Sequence, residues 1–118
     1  MRRVITTNEL LLETIRELRA KAREKPIWGR VAELLSRPAR RRPAVNLSKI
    51  NRYASDGDIV IVPGKVLGTG NINKKVTVAA FSFSEAAARK LSDAGGRILT
   101  LRDAITDVKD YSKVKIIV

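Results

Sequence analysis

The sequence predicts an α/β fold preceded by helices and a basic extended segment. In the second half of the chain, short β-branched runs alternate with helical patterns, which is typical of α/β proteins. In the first half, apolar residues recur at helical spacing instead. With 118 residues and 44% hydrophobic residues, the chain can bury one modest core. We therefore expect a single domain over 1–118, with helices in 1–36, a basic extended segment in 37–46 and an α/β core in 47–118.

Two helices are predicted before residue 37. Thr6 or Thr7 can cap the first helix, and Glu9 stands at capping-box spacing from Thr6. Pro26 ends this helix or begins the next one, and Pro38 stops the second helix, at about 27–36. The apolar residues at helical spacing are Leu11, Ile15, Leu18 and Ala22 in the first helix, and Ile27, Val31, Leu34 and Leu35 in the second.

The basic segment is the most unusual stretch of the chain. Pro38 and Pro43 flank its densest part, remove backbone donors and disfavour helix in the residues before them. From Ser36 to Tyr53 there are six cations and no acid: Arg37, Arg40, Arg41, Arg42, Lys49 and Arg52. We expect exposed arginines that lack acidic partners, and a guanidinium fork matches phosphate bidentately.

The remaining elements follow from local signals. Ser55-Asp56-Gly57-Asp58 predicts a turn, and Gly95-Gly96 supplies a left-handed residue after a helix. The predicted strands are 59–62, ended by Pro63-Gly64, then 76–81, 98–100 and 114–118. The predicted helices are 47–54 with Asn46 as cap, 85–94 with Ser84 as cap, and a short one to Thr106 that begins at Thr100.

Composition bounds the function. The formal charge is +12, and residues 1–54 carry 14 Lys and Arg against 5 Asp and Glu. Such an excess favours a polyanionic partner. The absence of cysteine and histidine excludes thiolate and imidazole chemistry, so no metal or cofactor is expected. Residues 1–7 lack the apolar run of a signal peptide, and no segment approaches membrane-spanning length, so we expect a cytoplasmic protein without a membrane partner.

The glycines of residues 64–70 invite a nucleotide-binding interpretation. Gly64-Lys65-Val66-Leu67-Gly68-Thr69-Gly70 fails the Walker pattern because no lysine follows Gly68. It also fails the dinucleotide fingerprint, because residue 73 is asparagine and a strand follows. Two interpretations stay open. The glycines either provide positive φ for a tight connection, or they allow a polyanion to approach between Lys65, Lys74 and Lys75.

Catalytic candidates are weak. The glutamates lie on helices rich in Lys and Arg, where solvated pairing is expected, and Ser84 serves as a helix cap. Ser82 lacks the G-x-S-x-G context of an activated nucleophile. Aromatic residues make up only 4% of the chain, so Trp28 and Phe81 are assigned to the core, whereas Tyr53 could stack on a base. We expect no enzyme and no small-molecule substrate.

Several blocks of the sequence resemble a known family. They are Ile27-Trp28, Val31-Ala32-Glu33-Leu34-Leu35, Val45-Asn46-Leu47-Ser48-Lys49-Ile50-Asn51-Arg52, Val62-Pro63-Gly64-Lys65-Val66-Leu67-Gly68, Ala79 and Phe81-Ser82-Phe83-Ser84. Together with the arginines, these blocks resemble the eighteen-e family of large-subunit ribosomal proteins, in order from about Asn8 onward. The length resembles that of the archaeal members.

The resemblance implies a fold shared with the carboxyl-terminal domain of the bacterial large-subunit protein fifteen, an irregular stack of strand-strand-helix units. It also implies a non-enzymatic constituent of the large ribosomal subunit that binds ribosomal RNA, touches neighbouring ribosomal proteins and supports assembly and translation. The residues expected to contact RNA are Arg37, Arg40, Arg41, Arg42, Lys49, Asn51, Arg52, Lys65, Lys74 and Lys75. The alternatives are a DNA-compacting protein and a small phosphate-using enzyme built on the glycine loop.

Overall fold

The computed structural model describes residues 6–118; residues 1–5, including Arg2 and Arg3, lie outside the described part. The helices are α1 (Thr7–Lys21), α2 (Ile27–Leu35), α3 (Leu47–Tyr53), α4 (Glu85–Asp93) and α5 (Leu101–Asp107). The strands are β1 (Ala44–Asn46), β2 (Ile59–Leu67), β3 (Thr77–Phe83), β4 (Arg97–Thr100) and β5 (Val114–Ile116). The α/β class predicted from the sequence is confirmed. Within residues 6–118, no helix is both long and apolar enough to cross a bilayer.

The five strands form one parallel sheet around β2. β2 pairs with β3, and β3 pairs with β4. β1 pairs with Lys65–Leu67 of β2, whereas β5 pairs with Ile59–Ile61. Because β3 occupies the other side of β2, β1 and β5 share a single edge of the sheet, one beyond the other.

Helices cover both faces of the sheet. Alternate strand residues point to opposite faces, so Val60 and Val62 pack with α3 and α4, whereas Ile61 packs with α1, α2 and α5. The sheet therefore separates two apolar clusters. Trp28 and Leu18 are fully buried on the α1–α2 side, as the helical spacing predicted for Leu18.

Three of the predicted helix caps are confirmed. The hydroxyls of Thr6, Ser84 and Thr100 each accept a backbone hydrogen bond three residues later, at 3.1 Å. Asn46 stands at the start of α3, but its side chain makes no capping hydrogen bond. The carbonyl of Thr69 instead accepts from the backbone N–H of Ser48 at 3.2 Å. The cap of α3 thus comes from a distant loop.

The sequence predicts that the strand beginning at residue 59 ends at Pro63-Gly64, and this prediction is wrong. β2 continues to Leu67, with a register shift between Val62 and Lys65 relative to β3. A bulge tolerates proline because the residue there needs no ladder donor. At Gly64, a Cβ atom would lie 2.0 Å from the carbonyl oxygen of Pro43, so the residue at this position must lack a side chain.

The basic segment is extended only in part. Ala39–Arg41 forms a 3₁₀ turn in which the N–H of Arg41 donates to the carbonyl of Pro38 at 2.8 Å, and Ala44–Asn46 forms β1. Proline restricts the residue before it but leaves the following residues free to turn. The segment therefore carries its arginines on a short turn that leads into an edge strand.

Candidate nucleic-acid interface

Arg37, Arg40 and Arg41 extend into solvent from the turn between α2 and β1. None of the three forms an ion pair with any residue between 6 and 118. The sequence explains this absence, because no acid occurs between Glu33 and Asp56. These guanidinium groups remain available for an external anion.

Arg42 differs from its neighbours because it is half-buried. Its Nε donates to the carbonyl oxygens of Leu35 at 3.1 Å and of Arg37 at 3.0 Å. Leu35 is the last residue of α2, so Arg42 satisfies a carbonyl that the end of the helix leaves unpaired. The two Nη atoms make no hydrogen bond within the described part of the chain. Arg42 is thus a structural cap whose outer nitrogens can still bind an anion.

Lys65 lies beside Arg42 because β1 pairs with the second half of β2. The backbone N–H of Lys65 donates to the carbonyl of Pro43 at 3.0 Å, and its side chain is exposed. Both cations line a cleft of about 340 Å³ beside the second halves of β2 and β3 and the start of β1. Other lining residues are Thr7, Pro43, Ala44, Phe81 and Ser82. We refer to this feature as the Arg42–Lys65 cleft.

The outer face of α3 carries the next group of cations. Lys49, Arg52 and Tyr53 are exposed at positions three and four residues apart, which share one side of a helix. The ammonium of Lys49 donates to the backbone carbonyl of Val118, and the Tyr53 side chain is 55% exposed. α3 follows β1 directly, so this face continues along the sheet edge from the arginine turn.

Lys74 and Asn51 serve the fold. The Lys74 ammonium donates to the carbonyl oxygens of Asn51 at 2.6 Å and of Ala54 at 2.7 Å, at the carboxyl end of α3. The side-chain oxygen of Asn51 accepts from the N–H of Asn73 at 3.2 Å. Their polar groups are largely committed to internal contacts, so both are weaker candidates for RNA contact than the exposed arginines.

Lys75 is exposed but lies at the opposite end of the sheet. It precedes β3, whereas Ser82, the register partner of Lys65, lies near the end of that strand. The two positions are seven residues apart, or roughly 20 Å at about 3.3 Å per residue of extended chain. The structure therefore brings Arg42 and Lys65 together and separates them from Lys75.

The glycine loop packs against the protein itself. A Cβ at Gly68 would lie 2.6 Å from the Cβ of Ala86 on α4, and one at Gly70 would lie 2.6 Å from the Cβ of Ser48 on α3. The Lys90 ammonium donates to the carbonyls of both glycines, at 2.8 and 3.0 Å. Of the three glycines in residues 64–70, only Gly70 has positive φ. Close approach to α3 and α4 explains Gly68 and Gly70.

Two carboxylates form ion pairs that hold the fold together. Glu17 accepts two hydrogen bonds from Arg102, each of 2.8 Å, which tie α1 to α5. Asp58 is nearly buried and accepts from the Lys115 ammonium at 2.8 Å. That hydrogen bond, helped by the N–H of Ser55, holds the pKa of Asp58 below its ordinary value although burial opposes the shift. These acids act as internal counter-ions.

Two hydroxyl groups of the candidate interface were not predicted from the sequence. Thr7 and Ser82 line the Arg42–Lys65 cleft, although they are 75 residues apart in the chain. Ser82 reaches the cleft through its register with Lys65, and Thr7 reaches it through the start of α1. No local pattern marks either residue, because only strand pairing places them together.

A parallel α/β sheet whose edge carries arginines without ion pairs among residues 6–118 defines a small basic protein suited to a polyanionic partner. Residues 44–99 match the family model that groups ribosomal proteins 50S-L15 and 50S-L18e with the 60S protein twenty-seven-A. The matched segment begins at β1 and ends in β4. It thus contains α3, α4 and the strand residues that line the Arg42–Lys65 cleft.

Individual proteins that align with most of the chain identify its family more closely. The large ribosomal subunit protein eL18 of Methanococcus maripaludis is 45% identical over 118 residues, which cover 98% of both chains. That of Methanothermobacter thermautotrophicus is 44% identical over 99% of this chain and 98% of its own. That of Sulfurisphaera tokodaii is 48% identical over 79% of each chain. The chain belongs to the eL18 family of large-subunit ribosomal proteins, which confirms the resemblance seen in its sequence blocks.

Proposed function

We propose that this protein is a structural constituent of the large ribosomal subunit and binds ribosomal RNA through one basic edge. The edge consists of the arginine turn, the Arg42–Lys65 cleft and the outer face of α3. The observation that carries this proposal is the set of exposed arginines without acidic partners among residues 6–118. If acidic side chains neutralised these arginines, the surface would not attract an external anion.

RNA contact along this edge follows from simple electrostatics. Arginine and lysine that neutralise phosphates release condensed counter-ions, so affinity falls steeply with salt. The amide of Asn51 and the ring of Tyr53 could add sugar or base contacts at the end of α3. Lys75 would contact a separate stretch of RNA. We also propose that neighbouring ribosomal proteins contact the other faces of the protein. We place the protein in the cytoplasm, within the large subunit, and propose that it has no catalytic activity.

A charge-matched pair of variants tests the edge. In the first variant Arg37, Arg40 and Arg41 become serine; in the control Arg16, Arg19 and Arg23, which are exposed on α1 and just after it, become serine. Both variants lose the same charge. Binding to a large-subunit RNA fragment should show a log–log salt slope of about −4 to −5 for about six phosphate contacts.

The edge variant should reduce the steepness of that slope by about 2, because three phosphate contacts are lost. The control should change it by less than about 1. Equal changes in both variants would show that net charge, and not this edge, carries binding. Recovery of the protein with chromatin instead of large subunits after a high-salt wash would contradict the ribosomal proposal itself.

A further inference from the structure

We propose that the Arg42–Lys65 cleft binds a single unpaired nucleotide, with its phosphate on the two cations and its base against the apolar wall. This inference rests on the proposed RNA binding and goes beyond it, because phosphate-backbone contact alone needs no cleft. The cleft has a volume of about 340 Å³, within the range of small-ligand sites. It lies beside the second halves of β2 and β3 and the first residue of β1.

The charges of the cleft call for an anion. Its described lining contains Arg42 and Lys65 but no carboxylate. Neither side chain forms an ion pair within residues 6–118. Arg102 and Lys115 are each neutralised by an internal carboxylate. No described carboxylate does this for Arg42 or Lys65. Two cations that line one cleft without an acid therefore form a binding site for phosphate.

Arg42 is prepared for this role by the fold. Its Nε is fixed by the carbonyls of Leu35 and Arg37, so the plane of the guanidinium is set before any ligand arrives. A cation that is already ordered loses less rotamer entropy on binding than a free arginine does. The exposed Arg40 and Arg41 lack such fixation.

The rest of the lining suits a base. Pro43 and Ala44 give one apolar wall, and Phe81, whose ring packs on the α1–α2 cluster, gives another. The hydroxyls of Thr7 and Ser82 offer donors and acceptors for a base edge or a ribose hydroxyl. A free phosphate would leave these groups unused. Paired bases are stacked inside a helix, so the occupant must come from a loop, bulge or single strand.

The test fills the cleft without changing its charge. Ala44→Phe starts from an exposed residue, and Ser82→Phe starts from a half-buried one. Ser92→Phe, on the exposed side of α4, is the matched control. Thermal melting verifies that each variant folds; if Ser82→Phe does not fold, Ala44→Phe provides the test.

Two single-stranded RNA probes of about ten nucleotides separate base from phosphate contact, since every base offers a stacking face. One has mixed sequence, and the other is abasic and keeps the same phosphates. The wild type should bind the mixed-sequence probe at least about tenfold more tightly, since one base stacked in the cleft contributes about that much. Both cleft variants should reduce this preference about tenfold, the share of the base in the cleft, and keep the affinity for the abasic probe, whereas Ser92→Phe should change neither.

Equal affinity of the wild type for both probes would overturn the nucleotide site and leave RNA binding by the edge intact. A preference that is as large in Ala44→Phe as in the wild type would also overturn it, because all base contacts would then lie outside the cleft. Failure of the wild type to bind either probe or the ribosomal RNA fragment would instead overturn the proposed function.

Discussion

The indole nitrogen of Trp28 donates a hydrogen bond of 2.9 Å to the hydroxyl of Tyr111. The two rings meet edge to face, with centroids 6.3 Å apart, and the Lys25 ammonium lies 4.9 Å from the centre of the Tyr111 ring. Trp28 is fully buried, whereas Tyr111 is half-buried. This contact fastens α2 to the turn before β5, so it holds the last strand against the N-terminal helices.

Tyr111→Phe should lower the free energy of unfolding by about 1–3 kcal/mol, because the buried indole N–H loses its only acceptor among residues 6–118. The ring contact remains, so the change isolates the hydrogen bond. Urea denaturation measures it. Tyr53→Phe, at an exposed ring, is the control and should stay within about 0.5 kcal/mol of wild type. Equal stabilities of all three proteins would show that water satisfies the indole.

The neighbouring arginines should separate into stability and binding roles. Arg42→Ser should destabilise the fold by about 1–2 kcal/mol, since it removes two hydrogen bonds from a charged donor, one to Leu35 at the end of α2 and one to Arg37. Arg40→Ser and Arg41→Ser should change stability by less than about 0.5 kcal/mol, because both side chains are exposed. Thermal melting of the three single variants measures this. Identical melting temperatures would mean that Arg42 does not cap α2 in solution.

Features set by near neighbours were predictable from the sequence. The caps at Thr6, Ser84 and Thr100 act over three residues, and Gly57 and Gly95 adopt the positive φ that their turn and helix end require. The exposure of Arg40 and Arg41 also followed from local composition, because no acid stands near them. Such signals depend on contacts within one turn of chain.

Features set by distant pairing were not predictable. Strand β1 has no apolar alternation and exists because β2, some twenty residues later, offers an edge. From the sequence Lys74 is expected to be an exposed cation, but its acceptors lie 20 and 23 residues away. The Arg42–Lys65 cleft likewise depends on strand register. The interface could thus be predicted as basic, but its division into an exposed turn, a cleft and internal caps could not.

The Asp58–Lys115 pair should make stability depend on pH in acid. The pKa of Asp58 is lowered in the folded protein from its ordinary value of 3.8, chiefly by the hydrogen bond from Lys115. Such a group stabilises the fold above its unfolded pKa, and the contribution is lost as pH falls through the lower folded pKa. The stability advantage of wild type over Asp58→Asn should therefore shrink as pH falls below about 4.

Urea denaturation at several pH values between about 6 and 2 measures this dependence. Lys115→Met provides the second half of the comparison, because it removes the main cause of the pKa shift while Asp58 remains. Its stability should fall less steeply in acid than that of wild type. A wild-type advantage over Asp58→Asn that stays constant down to about pH 2 would contradict the ion pair.

Gly64 should tolerate no side chain. A Cβ at this position would lie 2.0 Å from the carbonyl oxygen of Pro43 and 3.0 Å from its carbonyl carbon. Both are backbone atoms of the residue just before β1. Gly64→Ala must therefore push β1 away from β2 and disturb the wall of the Arg42–Lys65 cleft. We expect the free energy of unfolding to fall by more than about 3 kcal/mol, at the upper end for overpacking.

Gly29→Ala, inside α2, is the control, because a Cβ there meets only the Cβ of Ala22 at 3.3 Å. There a gain in helix propensity of about 0.5–1 kcal/mol offsets the tight contact, so urea denaturation should show a change below about 1 kcal/mol. Comparable stability of the two variants would mean that β1 is not held against Gly64.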